Sequence, residues 1–270
     1  MRPTSDIRRV FELRDQGCSK SEIARQTGVS RSQVRGGLAV GLDAVLHSPM
    51  RARASASGGE DGALCRTSRC PFVTGVDERA YAYLLGQYLG DGMLTPILRG
   101  VFKLRITTCD AYPGIRAECA AAMHAVMPYN RVGTVPRRGL GCAELVSHSK
   151  HWICLFPQHG PGRKHLRAIE LQPWQMHIAL DAHPRLLLRG LIHSDGCRVM
   201  NWVVGQNKDG PKRYTYPRYF FSNESADILG IFTEACDRAG VEWRPNRRNM
   251  ISVARRDRVS QLDAFIGPNS

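Results

Sequence analysis

This sequence of 270 residues lacks the segments that would tie it to a membrane. No window approaches the roughly 20 apolar residues that a membrane helix requires, and the first residues lack the apolar stretch of a secretory signal. A Walker loop, a dinucleotide fingerprint and an HExxH motif are absent as well, which argues against common enzymes that act on substrates other than nucleic acid. We therefore expect a cytoplasmic protein without a membrane partner.

Paired cysteines are also scarce. The nine cysteines are odd in number and scattered through apolar segments, which is typical of reduced thiols in a cytoplasm and not of a disulfide framework. Only Cys65 and Cys70 look paired. A structural zinc needs about four ligands, and no second pair of ligands lies nearby in sequence. The favoured interpretation is therefore two thiols that bind no metal, and structural zinc is not expected.

Negative charge is in short supply. The chain has 24 acidic residues against 38 lysines and arginines, a formal net charge of +14 and a pI near 9.8. With 43% hydrophobic and 23% charged residues, the excess positive charge belongs to a folded protein and not to a disordered basic tail. The length suffices for roughly one to three domains with a sizeable core. A polyanionic partner is therefore expected.

The first 45 residues carry apolar residues at helical spacing with helix-start signals between them. Residues 21–24 open one helix, residues 27–30 form a tight turn, and Ser30 is the N-cap of the next helix. This order predicts a helix-turn-helix DNA-binding domain over 1–45. The second helix of such a module enters the major groove, so its first residues are the expected base or phosphate contacts: Arg31, Ser32, Gln33 and Arg35. A helical hairpin that only packs on the main body is the alternative.

Two copies of one element order follow a linker. Residues 46–76 are rich in Ser, Gly, Ala and Arg without apolar periodicity, which predicts a linker. Residues 77–175 and 176–270 are each predicted to run helix, strands, helix, strands, helix, which indicates an α+β fold built by internal duplication. The predicted helices cover 77–90, 112–127, 150–156, 184–194, 225–239 and 257–266, and the predicted strands lie within 101–107, 132–147, 197–221 and 241–254.

The strongest signal is a pair of segments, LLGQYLGDG at 84–92 and LRGLIHSDG at 188–196, that align without a gap. Each is an apolar helix with small residues four positions apart. Such residues share a helical face and let two helices approach until their backbones nearly touch, which would bring Asp91 and Asp195 side by side. Two carboxylates at helix C-termini are destabilising unless cations neutralise them, so a metal site is indicated. Gly92 and Gly196 are expected to end the helices in the left-handed conformation.

These two motifs resemble those of the LAGLIDADG homing endonucleases, over about residues 77–268. The resemblance implies a pseudo-twofold pair of αββαββα repeats whose saddle-shaped antiparallel sheets lie over the DNA major groove. It implies that Asp91 and Asp195 bind Mg²⁺, with Mn²⁺ as the other candidate, at the centre of the saddle. The backbone carbonyls of Gly90 and Ser194 would assist.

The resemblance also draws attention to a lysine. Enzymes of this family often place a lysine near the metals, and Lys164, in a loop rich in glycine and basic residues, is the candidate. A loop that contacts the DNA backbone is the alternative. The motif's earlier acidic position is occupied by Leu89 in the first copy and His193 in the second, which is a departure from the family pattern.

Basic residues at alternating strand positions predict the DNA-contacting face of the saddle. In residues 101–107 the apolar side chains point to one face, whereas Lys103 and Arg105 point to the other and suit phosphates and guanine edges. In the second half, similar contacts are expected from Arg198, Lys212, Arg213, Arg218 and the Arg247–Arg248 and Arg255–Arg256 pairs. A solvated surface charge is the alternative for each of them.

The sequence thus predicts a site-specific double-strand DNA endonuclease in which Asp91, Asp195 and Lys164 are catalytic and Mg²⁺ supports phosphodiester hydrolysis. The alternative is a DNA-binding regulator, because a bacterial family of sporulation regulators also resembles a LAGLIDADG fold joined to a helix-turn-helix and does not cleave. An intein is disfavoured by the start at Met1 and the lack of a His-Asn end. Two repeats in one chain predict a monomer, associated with the nucleoid in a bacterial cytoplasm.

Overall fold

The computed structural model describes residues 4–29, 34, 38, 70–207 and 210–267. The chain divides into two compact units, Met1–Ala63 and Leu64–Ser270, and both predicted repeats lie in the second unit. Within the described ranges, no helix combines the length and the apolar character needed to cross a membrane. Several predicted residues lie outside the described ranges: Ser30, Arg31, Ser32, Gln33, Arg35 and Cys65.

The described part of the first unit contains two helices, α1 (Thr4–Asp15) and α2 (Lys20–Thr27). Ser19 caps α2: its hydroxyl accepts a hydrogen bond from the Glu22 amide at 3.3 Å, and the Glu22 carboxylate accepts one from the Ser19 amide at 2.9 Å. This reciprocal capping box starts the helix one residue earlier than predicted. Gly28 ends α2 with a φ of 63°, a left-handed conformation that suits glycine. The core of this unit consists of Val10, Phe11, Leu13, Ile23, Val29 and Val34.

The two repeats of the second unit have the same order of elements. A short helix, α3 (Pro71–Thr74), precedes them. The first repeat consists of α4 (Glu78–Asp91), β1 (Gly92–Pro96), β2 (Phe102–Cys109), α5 (Pro113–Val126), β3 (Val132–Arg137), β4 (Cys142–Ser149) and α6 (Trp152–Leu155). Between the repeats lie α7 (Pro173–Met176) and a π-helical turn (His177–Ala182). The second repeat consists of α8 (Pro184–Asp195), β5 (Gly196–Asn207), β6 (Gly210–Ser222), α9 (Ala226–Ala239), β7 (Arg244–Arg247), β8 (Met250–Val253) and α10 (Arg256–Ile266). The predicted α+β class and the αββαββα order are therefore confirmed.

Each repeat forms a four-stranded antiparallel sheet from its described residues. The strand order is β1-β2-β4-β3 in the first repeat and β5-β6-β8-β7 in the second, so the two sheets have equivalent topology. The alternation predicted for β2 is present, since Leu104 and Ile106 are buried and Lys103 and Arg105 belong to the other face. The hairpins differ in length: β5 and β6 have 12 and 13 residues, whereas β1 and β2 have 5 and 8.

Helices α4 and α8 pack with their backbones almost in contact. A Cβ atom built on Gly86 would lie 2.6 Å from the Leu187 carbonyl oxygen, and one built on Gly190 would lie 2.1 Å from the Tyr83 carbonyl oxygen. No side chain fits at either position, so glycine is required. Tyr83 and Leu187 directly precede the two aligned motifs and are equivalent residues, so the two contacts are reciprocal, as they are across a twofold axis. The predicted close approach and its pseudo-twofold relation are both present at this helix pair.

The expectation of a left-handed glycine after each motif is wrong. Gly92 has φ −83° and ψ 148°, and Gly196 has φ −104° and ψ 165°, so both are extended. Their role is steric: a Cβ atom would lie 2.4 Å from the Tyr88 Cα in the first case and 2.7 Å from the Ile192 Cα in the second. Each strand therefore begins at the glycine itself, directly after the aspartate that ends the helix.

We expect Gly190→Ala to destabilise the second unit by about 3 kcal/mol, because the added methyl group meets backbone atoms of α4 that can yield only if the helices separate. The matched control is Gly230→Ala in α9, where a Cβ meets nothing within 4 Å and helix propensity predicts a gain of roughly 0.5–1 kcal/mol. Urea unfolding followed by tryptophan fluorescence reports on this unit alone, because all tryptophans lie in it. Equal stability of the two variants would contradict the close packing.

Candidate functional site

The two motif helices end at one open cleft in the second unit. The cleft has a volume of about 1680 Å³, and its lining includes Asp91, Lys164, Asp195 and Asn223. Asp91 is the last residue of α4, and Asp195 is the last residue of α8. The structure therefore brings the three predicted catalytic residues to one place.

Asp91 and Asp195 are neighbours because the helices that carry them touch near their ends. A Cβ atom built on Gly90 would lie 2.2 Å from the Ser194 Oγ and 3.0 Å from the Oδ2 of Asp195. Gly90 and Ser194 are equivalent positions of the two motifs, so matching residues meet at this contact. The small residues that let the helices approach are thus the ones that place the two acids together.

Burial raises the pKa of both carboxyl groups. The pKa of Asp91 rises to about 7, first because surrounding protein atoms desolvate the carboxylate and second because the charge of Asp195 lies nearby. Burial likewise raises the pKa of Asp195, against the hydrogen bond from Asn223 and the charge of Lys164. Solvent still reaches Asp91 through the cleft, which gives a cation access to it. The pair carries negative charge that the fold compensates only in part.

Lys164 binds the C-terminal end of α4. Its ammonium group donates hydrogen bonds to the carbonyl oxygens of Leu89 at 2.9 Å and Gly90 at 2.8 Å, and also to that of Tyr88. A cation is favourable there because a helix ends in unpaired carbonyls and a negative dipole. Burial lowers the pKa of Lys164 to about 8, whereas the charges of the two aspartates act in the opposite direction. The chain itself therefore supplies part of the positive charge that the acids require.

The loop that presents Lys164 is held by hydrogen bonds of its own. The Arg167 guanidinium donates to the carbonyl oxygens of Gln158 at 3.2 Å and Gly162 at 2.9 Å. Lys164 begins a short 3₁₀ turn, Lys164–Leu166, inside this loop. The ammonium group is thus fixed at the cleft, and the structure gives the lysine predicted from the loop sequence a defined position.

The two backbone carbonyls predicted to assist a metal belong to residues with other contacts. The Gly90 carbonyl accepts a hydrogen bond from Lys164, which uses one of its two lone pairs. Ser194 turns its hydroxyl back to its own helix and donates to the Leu191 carbonyl at 2.9 Å. Metal binding by the Gly90 and Ser194 carbonyls stays a prediction.

Asn223 is a residue of the site that the sequence analysis missed. Its Nδ2 donates to the Oδ2 of Asp195 at 2.6 Å, and its Oδ1 accepts from the Ser225 amide at 2.8 Å. Because Ser225 is the N-cap of α9, the amide of Asn223 is oriented by the start of that helix. An Asn two residues before a helix cap is the only signal that sequence offers, and it does not identify the aspartate as the partner.

His193, at the motif's earlier acidic position, lies in the interior. Its side chain is 1% exposed, and its Nε2 lies 3.1 Å from the Ile266 carbonyl oxygen, which it can contact only as a donor. The Nδ1 then accepts from the Tyr83 hydroxyl at 3.1 Å. Burial lowers the pKa of this imidazole, which favours the neutral form that these bonds require. The motif's earlier acidic position is thus occupied in both copies by a buried side chain, Leu89 or His193, that contributes to packing.

Lys103 and Arg105 lie on the open face of the first sheet. Arg105 lies 3.4 Å from a carboxylate oxygen of Glu144, and Arg137 on β3 pairs with the same oxygen. The Glu144 side chain is only 12% exposed, so two arginines share one largely buried negative charge. Arg137 was not found from sequence, because its place beside Arg105 depends on the pairing of β3 with β4.

The register of β5 and β6 separates the three arginines predicted in the second sheet. Cross-strand partners share a face, and Arg198 and Arg213 lie on the face that carries the buried Tyr219. Arg218 lies on the opposite face. Arg198 donates to both carboxylate oxygens of Asp263 on α10, at 2.7 and 2.9 Å. Two of its guanidinium nitrogens are therefore engaged in an exposed ion pair with α10.

Aromatic rings lie beneath the basic side chains of the β5–β6 hairpin. Such stacked pairs are surfaces that nucleic-acid bases and phosphates can use together. The cation lies 4.7–5.9 Å from the ring centroid in Arg213 over Trp202, Arg218 over Phe220 and Lys212 over Tyr214.

Comparison with known proteins gives one family match and a set of structural neighbours. A family model described as the helix-turn-helix domain of resolvase matches residues 3–35. No curated protein sequence matches the chain. Structural neighbours of the chain are LAGLIDADG homing endonucleases, as the two motifs predicted.

Several of these neighbours are bound to DNA. I-DmoI in complex with DNA and Mn is 16% identical, with a TM-score of 0.43 over 71% of this chain and 98% of that chain. The LAGLIDADG meganuclease I-AabMI bound to uncleaved DNA is 11% identical, with a TM-score of 0.41 over 68% and 82%. The homing endonuclease I-WcaI bound to its DNA recognition sequence is 13% identical, with a TM-score of 0.42 over 72% and 83%. These similarities are weak, so the function proposed below rests on the residues of this chain.

We expect Asp91→Asn to raise the thermal stability of the metal-free protein increasingly as the pH rises from about 4 to about 7. The folded protein holds the Asp91 proton up to a pKa of about 7, and the unfolded chain loses it near 3.8, the ordinary pKa of an aspartate. The wild type therefore loses unfolding free energy over that interval, whereas the amide does not. Thermal melts in a chelator measure the difference in Tm. The control is Asp181→Asn, which removes an exposed ion pair with Arg238. Its difference in Tm from the wild type should not grow with pH.

Proposed function

We propose that this chain is a site-specific endonuclease that hydrolyses both strands of duplex DNA with the help of a divalent cation, Mg²⁺ or Mn²⁺. One observation carries the proposal: two helices in twofold-like contact present Asp91 and Asp195 together at one open cleft. A DNA duplex has two strands related by local twofold axes. A pair of equivalent acids therefore suits one cut in each strand.

The residues of the cleft fit a hard divalent cation. Carboxylate oxygens are the donors that Mg²⁺ prefers, and the burial and the nearby charge of Asp195 that raise the pKa of Asp91 disfavour a carboxylate without a cation beside it. Asp91 and Asp195 would hold the ion, with the Gly90 and Ser194 carbonyls as further donors. When bound, Mg²⁺ supplies Lewis-acid stabilisation of the phosphodiester and of the attacking water.

The side chains around the acids have separate tasks in this proposal. Lys164 presents a fixed ammonium group at the cleft, where it stabilises negative charge that develops on the phosphate. Asn223 holds the Asp195 carboxylate in one orientation. No nucleophilic side chain is required, because water is the nucleophile in hydrolysis.

The net charge of +14 and the open sheet faces support duplex DNA as the substrate. We assign DNA contacts to residues on open faces: Lys103, Arg105, Arg137, Lys212 and Arg218. Arg213 contributes through its stack on Trp202 at the exposed part of the hairpin. Arg198 is bound to Asp263 and, in this assignment, stabilises the base of the β5–β6 hairpin. In the first unit, Arg31, Gln33 and Arg35 extend the recognised site.

A DNA-binding regulator is the second candidate. The match of residues 3–35 to a resolvase helix-turn-helix favours it, and so does Lys164, which already compensates part of the acidic charge. Because a single chain contains both acids, we propose that the protein acts as a monomer in either function. We propose a bacterial cytoplasm as its location.

The deciding experiment incubates the full chain with a plasmid library of its own genomic neighbourhood, with Mg²⁺, Mn²⁺ or a chelator, and sequences the new DNA ends. Metal-dependent double-strand ends at one long site are expected. Tight, salt-sensitive binding without new ends would overturn the endonuclease and favour the regulator.

We expect Asp91→Asn and Asp195→Asn each to lower the cleavage rate by at least about 10³-fold, because each amide loses the charge that holds the cation. Binding of the target DNA should weaken by less than about tenfold. Single-turnover cleavage and a binding titration measure the two effects. Asp181→Asn is the matched control for an acid-to-amide change outside the cleft. Cleavage at the wild-type rate by either variant would remove that residue from the mechanism.

Lys164→Met should lower the single-turnover rate about 10²-fold while DNA binding changes by less than about threefold, because the ammonium group acts on the reacting phosphate. Lys164→Arg keeps a cation at the helix end and should recover part of the rate. If Lys164→Met lowers both the cleavage rate and the Tm, and Lys164→Arg restores both to the same degree, Lys164 acts only by capping the helix.

A further inference from the structure

Three side chains that bind metals meet where the second unit begins. Cys70 directly precedes α3, His151 is the N-cap of α6, and Cys154 lies within α6. One sulfur or nitrogen atom from each lies within 4.8 Å of the other two, and the Cys70 Sγ lies 3.4 Å from the His151 Nδ1. The cluster is separate from the acids of Asp91 and Asp195, and the mechanism above does not use it.

The spacing of these atoms fits a tetrahedral zinc ion. Zinc bonds of about 2.3 Å to sulfur and about 2.0 Å to nitrogen place a sulfur and a nitrogen ligand roughly 3.5 Å apart and two sulfur ligands roughly 3.8 Å apart. The observed 3.4 Å between the Cys70 Sγ and the His151 Nδ1 is close to the first of these distances. The upper limit of 4.8 Å for the set leaves at most about 1 Å of contraction, which side-chain rotation can provide.

Local backbone structure holds the donors in this arrangement. His151 and Cys154 are three residues apart on one helical turn, and the Cys154 amide donates to the His151 carbonyl at 2.9 Å. The His151 amide donates to the Ser149 hydroxyl at 3.1 Å. The Cys70 carbonyl accepts from the Val73 amide at 2.8 Å, at the start of α3. Two turns from distant parts of the chain thus direct their donors to one point.

The chemistry of the set favours zinc over catalysis by a cysteine. Two thiols and one imidazole are the donor types of structural zinc sites. A nucleophilic Cys70 would need access to a substrate, but this residue is only 2% exposed. The sequence alone did not indicate the set because His151 follows Cys70 by 81 residues.

We propose that Cys70, His151 and Cys154 bind one structural Zn²⁺ ion. The ion joins the segment that enters the second unit to the turn after β4, and it stabilises the folded state because the unfolded chain does not hold the three donors together. Zinc takes four ligands in such sites, and these residues supply three of them. This proposal does not depend on the endonuclease.

The test is elemental analysis of the full chain purified under reducing conditions without chelator. About one zinc per chain is expected in the wild type, and Cys70→Ser and Cys154→Ser should each lose most of it. Two controls should keep it: Cys197→Ser, which alters an exposed cysteine, and the double variant Asp91→Asn with Asp195→Asn. The proposal would be overturned if both cysteine variants retained zinc and the aspartate variant lost it.

A second readout avoids variants that fail to fold. Zinc in the wild type is replaced by Co²⁺, which should give thiolate-to-cobalt charge-transfer absorption and the intense visible bands of a tetrahedral ion. A strong chelator should also lower the Tm of the tryptophan fluorescence transition. A wild type that contains no zinc and gives neither absorption on titration with Co²⁺ would refute the proposal.

Discussion

The backbone contact between α4 and α8 is the constraint on which the second unit depends. At Gly86 and Gly190 the helices are too close for any side chain, so the contact selects one relative position where apolar packing alone would permit several. That position brings Asp91 and Asp195 together. It also sets the two sheets, because each strand starts at the glycine after the aspartate and folds over the last turn of its own helix.

The same contact has an electrostatic cost. Partial burial disfavours the charged form of both carboxyl groups, and the nearby charge of Asp195 adds to this at Asp91, whose pKa is raised to about 7. Lys164 and Asn223 offset part of the cost, one at the end of α4 and the other on Asp195. A divalent cation bound as proposed would offset the rest, so the feature that lowers the stability of the metal-free fold is the one that the proposed reaction uses.

Local periodicity accounts for what could be predicted. Helical and strand patterns gave the order of both repeats, and the two aligned motifs gave the acids and the glycines between the helices. What depends on distant partners could not be predicted: Asn223 beside Asp195, Arg137 beside Arg105, and the salt bridge of Arg198 with Asp263. The left-handed conformation expected for Gly92 failed for another reason. Sequence shows that a glycine is present but not whether its φ angle or its missing side chain is needed.

The two hairpins give the second unit unequal arms. At about 3.3 Å per residue, the 12 residues of β5 extend roughly 40 Å, whereas the 5 residues of β1 extend roughly 16 Å. A ligand that lies along both sheets meets the long β5–β6 hairpin on one side and the short β1–β2 hairpin on the other. If the second unit binds duplex DNA as proposed, two identical repeats would suit a palindromic site, whereas these unequal hairpins distinguish one end of the bound duplex from the other.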